Sequence, residues 1–300
     1  MLKRLTPPGI APLGIALLGI GIPALAEDGP YLQMGLAAAL APGLKATGSD
    51  NDWSTPCDLV INPEGLEVTD ECDAAPGPSE WSNAFGGSFG VGSGIALGLR
   101  RGAWRLEGEY LHRATTYDQR DEIAILDDVT LDKQEQEIER AVGGLDQALS
   151  HHLFANLYRD FAAGPALTAY AGAGVGLADA SLYYYTHWKR NDDPAFIRTF
   201  DDPGLNARIA GSTTIGRGRL SDRLPSWQLL AGAAWRLGDR AALDLKLRRV
   251  AGGRFESKAA EWDQLRSHDS TVGRGGPVVY TVATGDTGFW AAGLNLVYRL

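Results

Sequence analysis

The chain is poor in the features that mark most other protein classes. It has two cysteines and two methionines in 300 residues, too few cysteines for a disulfide scaffold. Its 28 basic side chains are outnumbered by 37 acidic ones, which argues against a nucleic-acid partner. Beyond the N-terminal segment there is no long apolar run, so a bundle of membrane-spanning helices is excluded. Glycine is plentiful at 38 residues, yet it lacks the G-X-Y period of collagen. What is there is 44% apolar and 22% charged. That is too apolar for disorder and enough for one large domain or two ordinary ones.

Residues 1–26 read as an export signal. Lys3 and Arg4 precede an apolar stretch from Gly9 to Ile22, and Ala24-Leu25-Ala26 offers a small-x-small cleavage site before Glu27. Pro12 and Pro23 interrupt the stretch and no basic stop-transfer flank follows, so processing is expected rather than anchoring. Residues 27–300 are then expected to form one domain. Without Lys3 and Arg4 that chain carries 26 basic and 37 acidic residues, a net charge of −11, in an oxidising compartment.

The rest is organised by two-residue alternation. From Ala84 to Leu99 the odd positions include Phe85, Phe89, Val91, Ile95 and Leu97, and the even ones are all glycine, alanine or serine. That period marks a strand. Between Trp104 and Tyr110, Leu106, Gly108 and the two aromatics share one face, with Arg105, Glu107 and Glu109 on the other. Leu243, Leu245 and Leu247 likewise alternate with Asp244, Lys246 and Arg248.

Eight such runs lie near 30–41, 84–100, 104–114, 149–160, 167–179, 226–237, 241–249 and 288–300. Their connections are alternately tight (101–103, 161–166, 238–240) and several tens of residues long (42–83, 115–148, 180–225, 250–287). All the long ones therefore fall at one end of an up-and-down sheet, the asymmetry of short periplasmic turns and long extracellular loops. The expected fold is all-β: an eight-stranded antiparallel transmembrane barrel, closed because hydrocarbon cannot satisfy an open edge. Apolar residues should face lipid, and Arg105, Glu107, Glu109, Asp244, Lys246 and Arg248 should form a paired polar network in the lumen. Inward glycines (Gly90, Gly92, Gly94, Gly172, Gly174, Gly176) should make room for those long charges. Trp104, Trp227, Trp235, Trp290 and Tyr298 suit interfacial girdles. A soluble lipocalin-like barrel is the alternative, with the apolar faces inward.

Four segments resemble the OmpA-type and opacity-protein-like outer-membrane barrels. Tyr170-Ala-Gly172-Ala-Gly174-Val-Gly176 looks like that family's glycine-rich strand, with Ala169 where the family has proline. Leu153 to Phe161, containing Asn156, Tyr158 and Asp160, is similar to the strand before it, and Ser226 to Gly232 to the sixth strand. Ala292 to Leu300 resembles the C-terminal strand read by the barrel-assembly machinery, ending in leucine rather than phenylalanine. The resemblance implies a bacterial outer-membrane protein that meets outer-membrane lipids and lipopolysaccharide, without a cell-wall tether.

The loops hold the remaining candidates. Cys57 and Cys72 are expected to pair, closing their segment for roughly 3 kcal/mol; free thiols are the alternative, and no nearby histidine makes a zinc site. Asp118 to Asp146 carries ten acidic and three basic residues. Asp127, Asp128, Glu135, Glu137 and Glu139 there suit a solvated surface or, alternatively, calcium. Leu131, Ile138, Val142 and Leu145 are spaced like a short amphipathic helix.

Tyr183-Tyr184-Tyr185, His187 and Trp188 should continue the fifth strand above the membrane, packing under a loop or anchoring an extracellular protein or glycan. Basic residues of that third loop, among them Arg219 and Arg223, offer contacts to lipopolysaccharide phosphates. His268-Asp269-Ser270 has triad residue types but not triad spacing. His152 should point inward at the rim, Ser150 should lie about 7 Å from it along the strand, and His112 should approach it from the next strand. No catalytic, metal or cofactor site is expected. The expectation is a surface-exposed structural or adhesin-like barrel, with a lipid-A-modifying enzyme or a narrow pore as alternatives.

Overall fold

The computed structural model describes residues 28–50, 79–117, 123–126, 137–162, 164, 166–198, 201–211, 213–261, 263–266, 271–272, 276–277 and 279–300. The export signal, Cys57 and Cys72, and His268-Asp269-Ser270 lie outside them.

Eight strands form the barrel. In chain order they are Gly29–Ala41, Ser88–Arg101, Trp104–Thr115, Ile138–Ala162, Leu167–Arg190, Thr213–Arg236, Ala241–Ala251 and Phe289–Arg299. Each pairs antiparallel with its neighbour in sequence, and the eighth pairs with the first, so no edge is left in the membrane. No helix among the described residues is long and apolar enough to cross a membrane.

The register gives the barrel's pitch. Leu167 pairs with Trp235, and the row continues through Leu243, Leu296, Met34, Ile95, Tyr110 and Leu153. It returns to the fifth strand at Leu177, ten residues beyond its start. A shear of ten on eight strands tilts them by about 40°. Every residue of that spiral is exposed on the outer surface. An apolar ridge thus winds once around the barrel, as a lipid-facing wall requires. A lipocalin-like barrel would bury it.

Above the membrane the sheet does not stop at the expected loops. The fourth, fifth and sixth strands run for 25, 24 and 24 residues. A second sheet, formed by Arg254–Glu261, Val279–Asp286, Leu44–Asp50, Ser79–Phe85 and Ala124–Ile125, prolongs the other strands upward. Inside this extension an apolar cluster includes Trp81, Phe85, Tyr117, Leu145, Leu182, Leu220, Leu224, Phe255 and Val282. The pattern therefore inverts along each long strand. On the fifth, Val175 and Leu177 face outward, whereas Ala178, Ala180, Leu182 and Tyr184 face inward. On the sixth, Trp227 and Leu229 face outward, whereas Leu220 and Leu224 are buried and Arg219 and Arg223 exposed.

Three expectations are corrected here. The helix proposed across the second loop is absent where it is described: Ile138, Val142 and Leu145 belong to the fourth strand. Register shifts at Ile138/Arg140 and Leu145/Gln147 break the two-residue period there and produce the helix-like spacing. The run from Ala84 is also two strands. Phe85 is 3% exposed and Phe89 76%, although they share parity, because the chain changes sheets at Gly86-Gly87. A Cβ on Gly87 would lie 2.9 Å from the Ala41 carbonyl oxygen, so only glycine fits this crossing. Finally, the inward glycines of the fifth strand hold aromatic and amide side chains rather than the long charges. Cβ atoms on Gly172, Gly174 and Gly176 would strike Tyr158, Asn156 and Phe154 of the fourth strand. The two family-like motifs are the two halves of one interlock.

Candidate functional site: the barrel lumen

The structure places Arg105, Glu107 and Glu109 on the inner face of the third strand, and Asp244, Lys246 and Arg248 on that of the seventh. Strand alternation fixes this, since their neighbours Leu106, Leu243, Leu245 and Leu247 face outward. Lys246, 0% exposed, lies 3.4 Å from Glu107 Oε1 and 3.9 Å from Glu109 Oε1. Arg248 Nη2 donates to Glu109 Oε1 at 2.7 Å. Two cations thus face two carboxylates.

Neutral donors complete the shell around these carboxylates. The Tyr31 and Tyr158 hydroxyls donate to Glu107 at 2.9 and 2.8 Å. Asn156 bridges Glu107 and Glu109, and Gln228 donates to Glu109 and to Asn156. Such satisfaction is what makes a buried charged network tolerable.

Asp244 and Arg105 find partners other than the expected ones. Asp244 Oδ2 accepts from Gln33 and Asn295 at 3.2 and 3.1 Å. Arg105 donates to Asp160 at 2.9 Å, with its guanidinium between the rings of Tyr158 and Tyr170, 4.7 and 4.4 Å from their centroids. Sequence reasoning missed Tyr31, Gln33, Asn156, Tyr158, Asp160, Gln228 and Asn295 as members. All of them have inward parity on their strands, which was the available signal.

The histidines sort by face. His151 faces outward, opposite His112 in register, with ring centroids 4.7 Å apart. The Tyr110 hydroxyl lies 2.7 Å from His151 Nδ1. His112 therefore meets His151, not His152 as expected, because direct register partners share a face. His152 is buried inward, where its Nε2 lies 3.0 Å from Ser150 Oγ. This corrects the expected 7 Å separation: that figure is the backbone spacing, and the two side chains lean together. The dyad sits just beneath the apolar cluster, beside a cavity of only about 20 Å³. His152 Nδ1 has no hydrogen-bond partner among the described residues, so no third group orients the ring.

Outside the membrane, Tyr184 is buried against Trp81 and Asn83, and Trp188 packs edge-on against Trp81. Glu137 is buried and accepts from the Arg198 amide, while Glu139 and Asp192 accept from Lys189. These hydrogen bonds, that to Glu139 foremost, hold the Lys189 ammonium above its ordinary pKa. Among the described residues no group of three or more His, Cys, Asp or Glu is placed to hold a metal ion. Asp127, Asp128 and Glu135 lie outside them.

Pairing and facing together define a closed eight-stranded transmembrane β-barrel with the up-and-down architecture of OmpA-type and opacity-protein-like outer-membrane barrels. No family model matches the chain, and no curated protein does. Among solved structures it is similar to Neisserial surface protein A, at 13% identity and a TM-score of 0.38 over 90% of this chain and 97% of that one. It is also similar to the outer membrane protein OprG from Pseudomonas aeruginosa, at 9% identity and a TM-score of 0.42 over 92% and 98%. A deltaS2 mutant of the TodX monoaromatic hydrocarbon channel matches at 8% identity and a TM-score of 0.18 over 92% and 91%. The barrel assignment rests on the chain's own strand pairing and facing.

Proposed function

We propose that the chain is a bacterial outer-membrane surface protein with a structural, adhesin-like role, which holds a rigid β-extension and its loops outside the cell and neither conducts nor catalyses. One observation carries this reading: the lumen is filled twice. The Glu107–Lys246–Glu109–Arg248 layer occupies it within the membrane, and the Trp81–Leu182–Phe255 cluster occupies it above. Barrels of eight strands leave an interior that side chains can fill. The strands that rise past the membrane give the loops a stiff base.

Cells displaying the full chain should attach to surfaces more than cells displaying a variant with its four long loops cut to turns. Uptake of small hydrophilic solutes should be equal in both. Planar bilayers containing the purified barrel should show no unitary conductance. Uptake or conductance that depends on the chain would overturn the non-conducting reading.

Among the described residues the Ser150–His152 hydrogen bond is the one contact that favours an enzyme, and its surroundings oppose it. The cavity beside it, about 20 Å³, is too small for an acyl chain, and the outward His112–His151 pair has only a tyrosine as hydroxyl partner among the described residues. Mass spectra of lipid A should be the same with and without the protein. An acyl chain gained or lost in dependence on His112 or His152 would refute this.

A further inference from the structure

The short-turn end of the barrel opens into a vestibule of about 510 Å³, within the usual size range of ligand sites. Its lining is unusual in charge. Arg100 and Arg105 form its floor, Arg236 and Arg299 stand on its walls, and Arg240 lies on the turn at its rim. Their facing follows from parity: Arg236 continues the inward row of Gln228 and Leu230, and Arg299 that of Asn295. Only one carboxylate, Asp239, belongs to the lining. Asp160, behind the floor, serves two guanidiniums at once, at 2.9 Å from Arg100 and 2.9 Å from Arg105. With Asp28, which stands near Arg100 at the first short turn, five arginines face three aspartates, a net charge of +2 among these residues.

The floor also carries unused donors. Arg105 is 3% exposed, and its Nη2 has no hydrogen-bond partner among the described residues; the same holds for Arg100 Nε. Both atoms are closed to solvent, so an anion on the floor gains them only if these side chains shift toward it. Guanidinium forks suit tetrahedral oxyanions, which accept two parallel hydrogen bonds from each fork. Nothing in the lumen network uses these atoms. Glu107 is turned toward Lys246, Tyr31 and Tyr158.

We propose that this vestibule is a binding site for a phosphoryl-bearing anion, either free or as a lipid headgroup, entering from the short-turn side. The site is independent of the surface role of the loops at the opposite end.

The test uses the full chain, refolded in an amine-oxide detergent free of phosphate, with inorganic pyrophosphate as probe and calorimetry as readout. Saturable binding is expected. Arg236→Gln/Arg240→Gln/Arg299→Gln, which leaves the buried Arg100–Asp160–Arg105 cluster intact, should weaken it roughly ten-fold or more. Arg219→Gln, on the opposite end of the sixth strand, should leave it unchanged. The titration is then repeated in lipid nanodiscs with and without phosphatidylglycerol. Weaker pyrophosphate binding with the anionic lipid identifies a headgroup as the occupant, and equal binding identifies a free anion; both support the site. Absence of saturable binding, or binding that the triple variant retains in full, overturns it.

Discussion

Replacing Lys246 by methionine should destabilise the barrel by about 3–5 kcal/mol, the cost of breaking a buried ion pair by removing one partner. Lys246 is wholly buried, and among the described residues it is the only cation in an ion pair with Glu107. Without it, Glu107 keeps the Tyr31 and Tyr158 hydroxyls and the Asn156 amide. These are donors without a compensating charge. The same variant also removes one of the two cations near Glu109. Urea unfolding of the barrel in lipid vesicles, followed by tryptophan fluorescence, measures the change. Glu107→Gln/Lys246→Met should recover most of the loss, because a neutral pair of similar volume restores the balance. Full stability in the single variant would show that Glu107 does not depend on Lys246 as its counter-charge.

The same network bears on conduction. Opening a continuous path would require the lumen charges to part and the apolar cluster above them to move as well. The fourth and sixth strands contribute to both layers, through Asn156, Tyr158 and Gln228 below and Leu145, Leu220 and Leu224 above, but the rest of each layer has its own source. Glu107 and Glu109 lie on the third strand and Lys246 and Arg248 on the seventh, whereas the cluster above draws Trp81, Phe255 and Val282 from the second sheet.

The membrane-spanning part was legible in the sequence because lipid imposes one rule on every strand, apolar outward at every second residue. The expected run at 241–249 matches the strand Ala241–Ala251, and that at 104–114 matches Trp104–Thr115. The extension above was not legible, and the reason is physical. Where strands leave the lipid, water is outside and apolar side chains fill the closed interior, so the apolar parity inverts. On the fifth strand the change falls between Leu177 and Ala178, so the expected run stopped at residue 179 although the strand continues to Arg190. On the sixth it falls between Leu224 and Trp227, with Pro225 exposed and Ser226 buried between them, and the expected strand began at 226. The charges of the lumen could be assigned from parity. Their pairing could not, because which residues meet across the lumen depends on shear and rotamers. Asp244 pairing with Gln33 and Asn295 rather than with a cation is the clearest case.

Replacing Leu294 by arginine should cost about 2–4 kcal/mol, the range for a charge at the midplane of a barrel's lipid face. Its depth follows from its own strand. Trp290, Leu294 and Tyr298 all face outward, four residues apart, and the two aromatics belong to the opposite girdles. At about 3.3 Å per residue and a tilt of about 40°, the girdles stand about 20 Å apart and Leu294 lies halfway. Its register partners Leu36 and Leu245 are also exposed apolar residues, so no polar group is at hand to receive the guanidinium. Tyr298→Arg should cost only about 0–1 kcal/mol for the charge itself, since its side chain reaches the interface. Both are measured by equilibrium folding into vesicles of fixed composition. Equal costs at the two positions would place the girdles wrongly, and a neutral Leu294→Arg would mean that this face does not meet lipid at all.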